Sequence, residues 1–135
     1  MSAVLVDTNV LLDIFTEDPV WFEWSRAALA EAAASSPLVI NPIIYAEASV
    51  HFHTKEDLDE ALPSDHFRRE PLRYDAAFLA AKAHLQYRRR GGRRHAPLPG
   101  FFIGAQAVVA GYTVLTRDPR RYRTYFPTLK LIAPA

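Results

Sequence analysis

The chain of 135 residues contains no cysteine. That excludes a disulfide scaffold, a thiolate zinc site and a thiol nucleophile. It has no glycine-rich phosphate loop, and no serine sits in a nucleophile-elbow pattern. Met1 to Asp7 carries no basic run, and Asp7 and Asp13 cut the apolar stretch. No export signal is read there, and a cytoplasmic location is expected. A membrane span is also lacking. Ala96–Thr116 is uncharged, but Pro97, Pro99, Gln106 and three glycines interrupt it. That stretch reads as a helix followed by a buried strand. The Gly100 and Gly104 spacing, a weak membrane-dimer signal, is discounted with the span. Finally, there is no carboxylate from Ala76 to Arg117.

What is present is half apolar residues in a length that suits one domain, residues 1–135. Such a chain can bury a core without disulfides or a structural metal. Ala3–Val6, Leu38–Ile40, Thr113–Leu115 and Leu129–Ile132 are short apolar runs without alternation, as in a parallel sheet covered on both faces. Helical patterns separate them, over Thr8–Phe15, Pro19–Ala34, Pro42 to about His51, Thr54–Leu62, Tyr74–Arg90 and Pro99–Ala110. Asn41-Pro42 is an N-cap followed by Pro at the first helical position. Tyr74, Phe78, Ala81 and Leu85 fall on one helical stripe. The expected fold is α/β: three layers, with a central parallel sheet of four to five strands flanked by helices.

The net charge of +1 hides a division. Residues 1–75 hold fourteen acids and five Lys/Arg, whereas residues 76–135 hold eleven Lys/Arg and a single acid, Asp118. A basic half points to polyanion binding; the alternative is that folding scrambles the imbalance. Arg88-Arg89-Arg90-Gly91-Gly92-Arg93-Arg94 could track a nucleic-acid backbone or be a solvated helix end. Arg117, Arg120, Arg121, Tyr122, Arg123 and Tyr125 mix cations with aromatics, which suits unpaired bases or local packing.

Three acids lie where apolar residues would be expected. Asp7 directly follows Ala3–Val6, and Asp118 lies just past Thr113–Thr116. Both would sit at the carboxyl edge of a parallel sheet, where ligands bind. Glu47 shares a helix face with Ile43 and Ile44, a costly place for a carboxylate without compensation. Three converging carboxylates repel, and a divalent cation is the simplest remedy. All-oxygen ligation suits Mg²⁺ or Mn²⁺, ions that handle phosphate esters. The competing reading is that each acid caps a helix or pairs with an arginine.

Val4-Leu5-Val6-Asp7-Thr8-Asn9, Asn41-Pro42-Ile43-Ile44-Tyr45-Ala46-Glu47, Pro97-Leu98-Pro99-Gly100-Phe101-Phe102-Ile103-Gly104-Ala105 and Leu115-Thr116-Arg117-Asp118 stand in an order and spacing that resembles PIN domains. The resemblance is nearest to the VapC toxins of bacterial toxin–antitoxin pairs and extends to Tyr122–Pro127. It implies an Mg²⁺- or Mn²⁺-dependent endoribonuclease leaving a 5′-phosphate and a 3′-hydroxyl. It also implies a homodimer and a VapB-type antitoxin partner. Asp7, Glu47 and Asp118 inherit the catalytic and metal-binding roles. Thr8, Asn9 and Thr116 would orient those carboxylates, and Arg93, Arg94, Arg117, Arg120 and Arg121 would contact RNA.

One position departs from the pattern. The resemblance places a metal-binding Asp where this chain has Gly100, and the acid-free window offers no substitute. Weak metal binding and crippled cleavage are expected. Gly100 is read as an inactivating substitution, the alternative being a natural pseudoenzyme that binds RNA or antitoxin without cutting. Gln106 stands where relatives often carry His. A phosphatase of the haloacid dehalogenase kind also begins with Asp after a buried strand. It needs a second Asp two residues on, where this chain has Asn9. His51 and His53 flank Phe52 at a helix end and are a poor metal pair. Trp21, Phe22 and Trp24 are expected in the core or an interface.

Overall fold

The computed structural model describes residues 3–91 and 98–135. Three apolar triplets, β1 (Val4–Val6), β2 (Leu38–Ile40) and β4 (Thr113–Leu115), form the middle of the sheet, and of these only Thr113 is not buried. Strands without a polar face cannot border water, so helices cover both sides of the sheet. Two edge strands complete it, β3 (Phe67–Arg69) and β5 (Leu131–Ile132). All pairings are parallel, in the order β3-β2-β1-β4-β5. Strand β1 lies at the centre, with Val4 opposite Leu38 on one side and Thr113 on the other.

The chain therefore runs from β1 outward through β2 and β3, then returns to β4 on the opposite side of β1. That reversal creates a crevice beyond the carboxyl ends of β1 and β4, where doubly wound sheets bind ligands. The helices are α1 (Thr8–Phe15), α2 (Phe22–Ser35), α3 (Pro42–Ser49), α4 (Lys55–Ala61), α5 (Tyr74–Arg89), α6 (Leu98–Ala110) and α7 (Arg120–Tyr125). Among the described residues none is long and apolar enough to cross a membrane.

Local chemistry sets the helix ends. The Asn41 side chain accepts the Ile44 amide at 2.9 Å to open α3, with Pro42 at the first position. Helix α2 begins at Phe22 rather than Pro19, because Asp18 Oδ1 accepts the Val20 and Trp21 amides, both at 2.9 Å, and holds those residues in a turn. Gly111, with φ of +76°, ends α6, and the Tyr112 amide reaches back to the Ala107 carbonyl at 2.9 Å.

Helix α5 turns its small residues inward. Its buried residues are Ala76, Ala80 and Ala83, against which α6 packs closely. The larger apolar stripe faces outward, with Tyr74 96% and Phe78 68% exposed. Small side chains let two helices approach; periodicity identifies a face without saying which face is inside. Gly104 permits another close approach. A Cβ there would lie 2.5 Å from the Phe126 ring.

Candidate active site

The crevice holds a cavity of about 600 Å³ whose walls include Asp7, Glu47, Asp118, Gly100 and Arg121. Asp7 enters it because β1 ends at Val6, and the Asp7 amide donates to the Leu115 carbonyl of β4 at 2.9 Å. Its Oδ2 accepts the Thr116 and Tyr122 hydroxyls, each at 2.9 Å, and more distantly the Asn9 amide at 3.4 Å. Burial pushes the Asp7 carboxyl above its ordinary pKa, the two hydroxyl donors oppose that rise, and the Glu47 charge adds to it. Tyr122 is itself buried; desolvation first, and then the Asp7 charge, holds its phenol well above the usual range.

Glu47 reaches the cavity from α3. Its Oε1 accepts the Thr8 hydroxyl at 2.6 Å, which fixes the carboxylate against the start of α1. Asp118 follows β4; its amide donates to Thr116 Oγ1 at 3.1 Å, and its Oδ1 is 3.4 Å from Arg120 Nε. Thr116 thus touches both the Asp7 carboxylate and the Asp118 backbone. Asn9 accepts the Arg117 amide at 3.3 Å and donates to Thr116 Oγ1 at 3.2 Å. The three residues expected to orient the carboxylates, Thr8, Asn9 and Thr116, all lie in this web.

Arg121 stands at Gly100. Its guanidinium lies over the Tyr87 and Phe101 rings, at 5.5 and 5.4 Å from their centroids. A Cβ at position 100 would meet Arg121 Nη1 at 3.1 Å. Arg120 also borders the cavity and is exposed. Arg117 does not line it; its Nε donates to Asp13. Arg93 and Arg94 lie outside the described residues.

The donor set does not suit a divalent ion as it stands. Asp7, Glu47 and Asp118 border one cavity, yet among the described residues no three His, Asp or Glu side chains group closely enough to hold a metal. That includes His51 and His53. Gly100, in the same cavity wall as the three acids, contributes no oxygen from a side chain. Gln106 is a buried structural residue: its Oε1 accepts from Asn41 at 2.7 Å, and its Nε2 donates to the Pro71 carbonyl at 3.2 Å. Trp24 packs against the core, and Trp21 meets it edge-on at 6.2 Å. Sequence reasoning passed over Tyr87 and underused Tyr122. The signal for Tyr122 was the spacing of α7 after Asp118, legible only once that segment is helical.

A five-stranded parallel sheet with acids gathered at its switch point is a frame for phosphate-ester chemistry. Residues 4–127 match the profile of the PIN domain, and the chain belongs to that family, whose members are generally nucleases. This sets aside the phosphatase alternative. Among solved structures, the fold is similar to a chain of VapBC2 from Rickettsia felis bound to a promoter DNA fragment (TM-score 0.73, 15% identity, covering 97% of this chain and 98% of that one). It is similar also to a chain of a toxin–antitoxin complex from Klebsiella pneumoniae (TM-score 0.71, 22% identity, 98% of both chains). A third is a chain of VapBC-1 from nontypeable Haemophilus influenzae (TM-score 0.73, 15% identity, 97% of both). No curated protein sequence matches the chain.

Proposed function

We propose that the chain is a VapC-type toxin of the PIN family, built to cleave RNA phosphodiesters and impaired by Gly100. The observation that carries this reading is the meeting of Asp7, Glu47, Asp118, Arg121 and Gly100 around one cavity at the switch point. Two of the carboxylates are oriented by hydrogen bonds: Asp7 by Thr116 and Tyr122, Glu47 by Thr8. Arg121 and Arg120 supply positive charge beside them, as a phosphodiester needs. An aspartate at position 100 would add the missing oxygen donor, and an all-carboxylate set of that kind selects Mg²⁺ or Mn²⁺. With Gly100 the set is incomplete, so no hydrolytic step through a metal is assigned to the chain as it stands.

The partners follow from the same reading: RNA as substrate, a VapB-type antitoxin as inhibitor, and a second copy across the exposed Tyr74, Phe78 and Leu85 stripe of α5. A cytoplasmic location fits all three. The incomplete donor set also favours a second reading, a non-catalytic PIN domain that binds RNA or antitoxin without cleavage. Induced expression in a bacterial host separates the two. Gly100→Asp is expected to arrest growth where the unchanged chain does not, and co-expressed antitoxin should relieve the arrest. Growth unaffected by a soluble, folded Gly100→Asp protein would overturn the impaired-nuclease reading and leave the binding one.

A further inference from the structure

We propose that Asp13 and Arg117 are positioning residues: a buried ionic clasp that sets the distance between the Asp7 turn and the Asp118 loop. Their value to catalysis rests on the nuclease reading; their structural role does not. Asp13 lies on α1, six residues after Asp7, and is 2% exposed. A buried carboxylate is costly unless it is paired and hydrogen-bonded, and this one is. Arg117 Nε donates to its two oxygens at 3.0 and 2.8 Å, and Ser25 Oγ, itself buried, donates to Oδ2 at 2.7 Å. The Arg117 guanidinium also lies over the Trp21 ring, 5.6 Å from its centroid. Three segments meet there: α1, the opening of α2, and the loop between β4 and α7.

That loop carries Asp118 next to Arg117. The Arg117 amide binds Asn9, and Thr116 binds Asp7. The clasp thus holds the loop through the Arg117 side chain, while Asn9 holds it through the Arg117 amide and the Thr116 hydroxyl ties it to Asp7. Folding does not require an ion pair here, since apolar residues of similar volume commonly replace one without loss of stability. What apolar residues cannot supply is direction. The Arg117 Nε–H is aimed at both Asp13 oxygens, so it fixes where the next residue emerges. This also gives Arg117 a task other than the RNA contact expected from sequence.

The test is amide hydrogen exchange on the metal-free protein, joined to cleavage kinetics in the Gly100→Asp background. Asp13→Asn and Arg117→Gln are expected to speed exchange at the Arg117 and Asp118 amides about tenfold or more, with the β1 and β4 amides unchanged. Arg117→Lys should restore part of the protection. The apolar set Asp13→Leu, Ser25→Ala and Arg117→Met, which leaves no buried hydroxyl without its acceptor, should melt close to the parent yet keep fast exchange at those two amides, which separates position from stability. In the Gly100→Asp background, Asp13→Asn should lower kcat about tenfold with KM little changed. Unchanged exchange at Arg117 and Asp118, or loss of protection spread evenly over β1 and β4, would overturn the proposal. A Gly100→Asp protein that never cleaves RNA, with the exchange pattern as expected, would overturn the nuclease reading alone.

Discussion

Gly100→Asp can be followed without RNA, through the response of stability to Mn²⁺. Position 100 is the third residue of α6, whose first turn carries no acid. A carboxylate there gains about 0.3–1 kcal/mol from the helix dipole, and leaving glycine gains roughly 0.3 kcal/mol more. Against this, the new Cβ would lie 3.1 Å from Arg121 Nη1, so the guanidinium must shift a few tenths of an ångström over Tyr87 and Phe101. Weakening one such stack costs about 0.5–1 kcal/mol. Repulsion from Asp7 and Glu47 adds a further cost. These contributions nearly cancel, so without metal the variant should melt within a few degrees of the parent. Mn²⁺ at a hundred times its Kd should then stabilise the variant by about 2.7 kcal/mol. For a domain of 135 residues that is a rise of roughly 10 °C, measured by differential scanning fluorimetry against a chelator control. The parent, without a closed ligand set, should shift far less. Equal shifts in the two proteins would refute the argument that position 100 completes the site.

Four further outcomes follow from individual contacts. Asp7→Asn should raise the melting temperature at pH 7. The sign comes from burial: the Asp7 pKa is raised in the folded protein, so the native state binds the proton more tightly than the unfolded one. Asp7 therefore destabilises progressively as pH rises from about the ordinary carboxyl value of 3.8 through the folded value, and the gain from Asn should vanish below that window. Gly104→Ala should cost about 1–3 kcal/mol in urea denaturation, because its methyl would strike the Phe126 ring, and Phe126→Leu should recover part of the loss. Tyr74→Ser with Phe78→Ser should leave stability nearly unchanged and abolish self-association in sedimentation, since both side chains are exposed. Arg121→Ala should weaken RNA binding and reduce the slope of log affinity against log salt by about 0.7, as expected for one phosphate contact on a single strand.

The parts of the fold legible in the sequence are those decided by local burial. Leu38–Ile40 and Thr113–Leu115 are apolar because helices cover both faces, and Asn41-Pro42 fixes the start of α3 by its own side-chain chemistry. Strand β3 was not legible. It is an edge strand in which only Phe67 is buried, and Arg68 and Arg69 carry no strand signal. Helix α7 is six residues of mixed cations and aromatics, too short for periodicity to declare itself. At the cavity, Asp7 and Asp118 stand out in the sequence because an acid at the end of a buried strand is anomalous. Asp13, an acid inside the apolar helix Thr8–Phe15, breaks the apolar pattern in the same way, but the sequence does not show that Arg117 is its partner. Which arginine is already paired cannot be read from spacing: Arg117 and Arg121 lie four residues apart, yet one binds Asp13 and the other lines the cavity.

The central claim is that these carboxylates form an RNA-cutting site left incomplete by Gly100. Cleavage of a labelled RNA panel by the Gly100→Asp protein tests it most directly. The account predicts cutting with Mn²⁺, products bearing a 5′-phosphate, no cutting in chelator, and none when Glu47→Gln is added. Cleavage that persists in chelator, or that is as strong in the Gly100 chain, would contradict it.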